Sequence, residues 1–122
     1  MRKRLVADNR APSAARSYVA SQLATRTAPA GIAVDDVVII ASELVTNAVR
    51  AGADWVDLTV RVTHQRLDLL VEDDAVGWPA LAITDDEAVS GRGLHIVDEL
   101  ADAWLVTPLV RGKLITATWV AR

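Results

Sequence analysis

The spacing of apolar positions changes along the chain, and each change predicts an element. Residues 12–25, PSAARSYVASQLAT, carry Ala15, Tyr18, Val19, Gln22 and Leu23 at helical spacing, with Ser13 as the expected N-cap. Pro29 and Gly31 then break the chain. The strongest helix follows in VDDVVIIASELVTNAVRAG, where Val34, Val37, Val38, Ala41, Leu44, Val45 and Ala48 form a wide apolar face. Asp36, Glu43, Asn47 and Arg50 fall near one polar stripe, read as lying opposite the apolar one. Gly52 stands where a helix stop belongs.

The period then drops to two. WVDLTVRV puts Val56, Leu58, Val60 and Val62 on one face and Asp57, Thr59 and Arg61 on the other. THQR reads as a turn and LDLLVE as a second strand ending at Glu72, which together predict an antiparallel hairpin. Residues 73–91 keep no period and contain Gly77, Pro79, Ser90 and Gly91. GLHIVDELAD predicts a short amphipathic helix with Leu94, Val97, Leu100 and Ala101 inward. AWLVTP and LITATWVA predict a second hairpin around VRGK, and RKRLVAD a short first strand. The order β-α-α-β-β-loop-α-β-β predicts an α+β two-layer sandwich, its sheet mostly antiparallel and its helices on one face.

Composition narrows the function classes. The 122 residues, 52% hydrophobic and 24% charged, can bury a core. No linker, repeat or low-complexity tract divides them, so one domain over 1–122 is expected. The absence of cysteine excludes disulfides and thiolate metal sites. A net charge of -3 without a Lys/Arg block argues against direct nucleic-acid binding through a basic face. No apolar run approaches the roughly 18 residues of a membrane span. The basic MRKRLVADNR is not followed by the apolar stretch of a signal peptide, so a soluble cytoplasmic protein with no membrane partner is the expectation.

Three polar features stand out on this apolar frame. In ELVTNAV, Glu43 and Asn47 are four apart and project from one helix face. A carboxylate and a carboxamide one turn apart present oxygen to a hard cation or position a water; both residues are also ordinary on a solvated helix face. In VEDDAVGWP, a carboxylate just past a strand end can accept from an exocyclic amine, and Gly77 lets backbone approach a flat ligand. Asp and Gly equally serve as plain turn residues. In SGRGLHIVDEL, Gly91 and Gly93 flank Arg92 immediately before a helix, which makes either an anion site or a flexible loop into a capped helix. His64, in a predicted turn, and His95, on the last helix, are too far apart for a zinc site without Cys. Trp55, Trp104 and Trp119 read as packing residues, and Trp78 as a cover for the second feature.

Taken in order, SELVTNAV, VEDDAVGWP and GRGLHIVDELAD resemble the GHKL ATPase superfamily, the Bergerat fold of gyrase-type topoisomerases, heat-shock chaperones and histidine kinases. The resemblance spans roughly Ala14 to Val120 and is nearest to the stand-alone actinobacterial relatives of anti-sigma-factor serine kinases. It implies ATP and Mg²⁺ as ligands, with Asn47 binding the Mg²⁺ that bridges the phosphates and Glu43 as the general base. It implies that Asp73 accepts from the adenine amino group, with Gly77 as the motif's last glycine, and that Gly91, Arg92, Gly93 and Leu94 wrap the phosphates. It implies a sigma factor or an anti-anti-sigma (STAS-type) protein as partner, phosphorylation of that antagonist, and admits a homodimer. The alternative is a non-catalytic nucleotide-binding interaction module. A complete two-component histidine kinase is disfavoured, because no His precedes His64. The chain departs from the family pattern at Ala75, where a glycine is usual, at Ala51, where many relatives carry His, and at Gly112-Lys113-Leu114, where Gly-Thr is usual. Here Thr116 and Thr118 are the nearest hydroxyls, and the acidic TDDE of residues 84–87 falls in the short lid.

Overall fold

The computed structural model describes residues 2–76 and 90–122, with the backbone alone for residues 90–94. Strand β1 (Arg2–Val6) leads into helices α1 (Ala11–Ala24) and α2 (Val34–Arg50). Strands β2 (Trp55–Val62) and β3 (Arg66–Asp73) follow, then helix α3 (Ser90–Leu100) and strands β4 (Ala103–Pro108) and β5 (Lys113–Val120). The five strands form one antiparallel sheet in the order β1-β2-β3-β5-β4. Helix α1 packs on β1 and β2, α2 on β3, and α3 on β4, with α2 touching both other helices. This is the α+β sandwich that the spacing predicts. Among the described residues, no helix is long and apolar enough to cross a membrane.

The strands alternate because one face is covered. Val56, Leu58 and Val60 of β2, Leu67, Leu69 and Val71 of β3, and Ile115, Ala117 and Trp119 of β5 are all buried against the helices. Trp119 also donates its indole N–H to the Leu100 carbonyl at 2.8 Å, which pins the end of α3 to the end of β5. The outer face is polar but not bare. Asp57 is buried there beneath Arg2 and Arg4 of β1, with Arg4 Nε 2.8 Å from its carboxylate and the guanidinium over the Trp55 ring. Trp55, Trp104 and Trp119 are thus packing residues, and Trp104 donates to Asp98 at 3.0 Å.

Two helix details differ from the spacing argument. Helix α1 starts at Ala11, two residues before Ser13, so Ser13 is not the cap. Asp8 sets that start instead: its carboxylate accepts the Arg10 N–H at 2.9 Å and its carbonyl accepts the Ala11 N–H. On α2, Ile40 joins the buried face, and so does Asn47, which is 5% exposed. Asp36, Ile40, Glu43 and Asn47 are spaced by four, three and four residues and therefore share a stripe. That stripe borders the apolar face rather than opposing it.

Both hairpins close as the turn signals predict. Thr63 N–H donates to the Arg66 carbonyl at 2.8 Å across THQR, and His64 is exposed in that turn. The second turn needs Gly112, where φ is +86° and an added Cβ would collide with the Asp73 carbonyl oxygen. Gly52, at φ +87°, closes α2 but faces open space. We therefore expect Gly52→Ala to cost about 1 kcal/mol, the conformational penalty alone. Gly112→Ala adds a backbone collision and should cost clearly more in urea denaturation; equal losses would contradict the close approach.

Candidate functional site

Chain connections bring three distant segments to one end of the sandwich. Helix α2 ends at Arg50 and passes through residues 51–54 directly into β2. The start of β2 is paired with the end of β3 through Val56 and Asp73, and the end of β3 with the start of β5 through Asp73 and Lys113. The last turns of α2, the last residue of β3 and the first residue of β5 therefore share that end. Asp74 locks the junction: its carboxylate accepts the Asp54 N–H at 2.8 Å and the Trp55 N–H at 3.2 Å. Asp74 is 6% exposed, so the expectation that it is the plain turn residue of the triplet gives way to a structural clamp. Burial works against the Asp74 charge, but the backbone N–H groups of Trp55 and Asp54 outweigh it and hold the carboxyl below its ordinary range.

Strand β3 runs one residue further than the sequence pattern suggests, to Asp73 rather than Glu72. Strand β5 likewise starts one residue earlier, at Lys113. That extra register pair decides the chemistry. Asp73 and Lys113 both face inward and are buried, 2% and 1% exposed. Lys113 Nζ lies 2.6 Å from Asp73 Oδ2, and the Ala75 N–H donates to Asp73 Oδ1 at 2.9 Å. Each carboxylate oxygen has two lone pairs, so both keep a further acceptor position. Lys113 belongs to the stretch Gly112-Lys113-Leu114, which departs from the family's usual Gly-Thr. Sequence reasoning missed its role because it placed Lys113 in the turn.

The other predicted site residues divide into two groups. Glu43 is half-buried on α2, one turn before Asn47. The Asn47 carboxamide makes no hydrogen bond to a protein group among the described residues; the residue as a whole is 95% buried, but its amide oxygen and nitrogen keep some exposure, since among these residues no buried side-chain polar atom is left without a partner. An amide with its polar atoms open in this way can meet a ligand oxygen or a cation at the α2 end of the site. Gly91, Arg92, Gly93 and Leu94 lie inside the first turn of α3, which begins at Ser90, rather than ahead of it. The backbone N–H groups of that turn are the ones a helix leaves unbonded. Gly77, Trp78 and the TDDE segment lie outside the described residues. A concavity of about 460 Å³ on the outer sheet face, lined by Arg2, Asp57, Arg61 and Glu72 among others, lies on the opposite side of the sheet from Asp73.

The buried pair makes a simple site substitution ambiguous. Asp73→Asn leaves the Lys113 ammonium buried without its counter-charge, and should cost about 3–5 kcal/mol in denaturant unfolding. Asp73→Asn with Lys113→Met removes both charges and should restore much of that loss; a double variant as unstable as the single one would contradict the pairing. Asp74 carries a pH signature of its own. Its carboxyl titrates lower in the fold than when unfolded, where the reference value is 3.8. Its contribution is therefore complete well above pH 4 and is lost as pH falls through the lower folded value. The stability gap between the protein and Asp74→Asn should be widest near neutral pH and shrink below about pH 4.

The residues present fit a nucleotide: an inward acceptor at a strand end, an unbonded carboxamide with accessible polar atoms, and a glycine-rich first helical turn. Comparison with known proteins agrees. No curated protein matches the chain. Residues 5–119, however, match the family described as the histidine kinase-like ATPase domain. The match covers nearly the whole sheet and α1, α2 and α3, and the chain belongs to the histidine kinase-like ATPase family.

Proposed function

We propose that this protein is an ATP- and Mg²⁺-dependent regulator of a partner protein, acting as the anti-sigma-factor serine/threonine kinases do. The observation that carries this reading is the placement of Asn47: a carboxamide without a protein partner among the described residues, its polar atoms still accessible, one turn after Glu43 in a histidine kinase-like ATPase domain. Asp73 accepts from the adenine amino group, and Asn47 contributes its oxygen to the cation at the phosphates. Among the described residues, no group of three or more His, Asp or Glu is placed to hold a metal. A cation held by Asn47 would take further ligands from phosphate and water, as Mg²⁺ commonly does. When bound, it neutralises phosphate charge during transfer.

Glu43 supplies the base. A serine hydroxyl of the partner attacks the γ-phosphorus, Glu43 takes the hydroxyl proton, and the bond from phosphorus to the β-phosphate oxygen breaks to release ADP. The partner fitting this chemistry is a STAS-type anti-anti-sigma protein, with a sigma factor as the protein held in check. The second reading, a nucleotide-binding module without transfer, draws on Lys113, which sets a buried cation against the carboxylate of Asp73.

Glu43→Ala separates the two. A base is not a binding group, so the variant should keep ATP affinity within about twofold and lose transfer by about 10²–10⁴-fold. Calorimetry with ATP-Mg²⁺ and radiolabelled transfer to a co-purified partner measure the two quantities. Tight ATP binding with no transfer by the unsubstituted protein to any such partner favours the module. Absence of ATP binding rejects both.

A further inference from the structure

Lys113 is more than a counter-ion. Burying a carboxylate and an ammonium together is a poor way to stabilise a fold, since apolar residues of similar volume usually serve as well or better. Two strands ending side by side do not require charges at their last pair. Yet here both groups point inward, on the face that bears Leu69, Val71, Ile115 and Ala117. The ammonium has three N–H donors, and Asp73 is the one acceptor it meets among the described residues. The carboxylate keeps acceptor capacity on both oxygens. The register pair thus offers an acceptor and a donor next to each other, fixed by two paired strands and by the close approach of Gly112 to Asp73.

A ligand edge complementary to that arrangement presents a donor beside an acceptor. The 6-amino group and ring nitrogen N1 of adenine do so on adjacent atoms. We infer that Lys113 is a second base-reading residue, donating to adenine N1 while Asp73 accepts from the 6-amino group. This rests on the nucleotide reading above and adds to it a specificity residue of a type that a neutral hydroxyl cannot match in strength.

The test compares ATP with two analogues by calorimetry on the full chain. In 1-deaza-ATP, N1 is replaced by C–H; purine riboside 5′-triphosphate lacks the 6-amino group. The protein should bind 1-deaza-ATP about tenfold or more weakly than ATP, the loss expected for a hydrogen bond from a charged donor. Lys113→Met should bind ATP and 1-deaza-ATP within about twofold of each other. A purely structural Lys113 predicts something else: the substitution would weaken both nucleotides alike and leave their ratio intact. If Lys113→Met does not fold, Lys113→Gln keeps a neutral donor beside Asp73 and must narrow the preference for ATP over 1-deaza-ATP, because a neutral donor bonds N1 more weakly than an ammonium does. Equal binding of ATP and 1-deaza-ATP by the unsubstituted protein, or discrimination that survives removal of Lys113, overturns the inference. Equal binding of ATP and the riboside triphosphate overturns the Asp73 assignment, and this inference with it. No binding of ATP rejects the nucleotide reading itself.

Discussion

A carboxylate and an ammonium buried 2.6 Å apart, Asp73 and Lys113, sit where the two central strands of the sheet end together. Everything at that end of the molecule is arranged around them. Neither charge can be left alone without a penalty of several kcal/mol, so the pairing of β3 with β5 must hold to its last residue. That demand reaches the turn. Only a glycine at 112 lets the second hairpin pass the Asp73 carbonyl closely enough to deliver Lys113 to its partner. Asp74, the next residue, ties the same point to the start of β2 through two backbone N–H groups, and β2 follows directly on α2. The ends of α2, β3 and β5 are thereby held in one place by short-range polar contacts that add to the apolar packing of Ala48, Val56, Val71 and Ile115.

The apolar core does the opposite kind of work. Val37, Ala41, Leu44, Val45 and Ala48 of α2 lie against the inward residues of the strands, so the helix has little freedom to rotate. A fixed rotation fixes the border of the apolar face, and Ile40 and Asn47 lie on that border, seven residues and two turns apart. Packing therefore decides how far the Asn47 carboxamide is taken out of water. A polar side chain so placed has its stem in the core and keeps its amide atoms accessible, with no protein partner among the described residues. The same α2 that closes the core supplies the polar end of the site.

Much of this was legible in the residue pattern. Strand and helix periods differ, so the eight elements and their α+β arrangement follow from apolar spacing alone. Local contacts were read less well where a side chain does what the pattern assigns to a neighbour. Asp8, lying outside the helical spacing, starts α1 in place of Ser13 through its own carboxylate and carbonyl. Of three adjacent carboxylates, Glu72 is the half-buried one, while Asp73 and Asp74 are both buried. Nothing in the triplet itself distinguishes them; apart from the neighbouring Ala75 N–H, their hydrogen-bond donors are backbone groups 19 and 20 residues away and a lysine 40 residues away. Register at that range depends on how far each strand continues, and a one-residue extension turned a presumed turn lysine into a buried partner.

That extension also changes what the family resemblance means for this chain. A threonine beside the aspartate offers one weak, neutral donor that rotates to suit its surroundings. A lysine there brings a full charge, three donors and a flexible stem into a space sealed from water. Low polarity strengthens whatever contact it makes and raises the cost of making none. A ligand that met both groups would gain from each, and one that met only the carboxylate would leave buried donors unmatched. Selectivity of that kind follows from unpaired polar groups rather than from shape. It requires no rearrangement of the fold, only one strand residue of a different type at the end of β5.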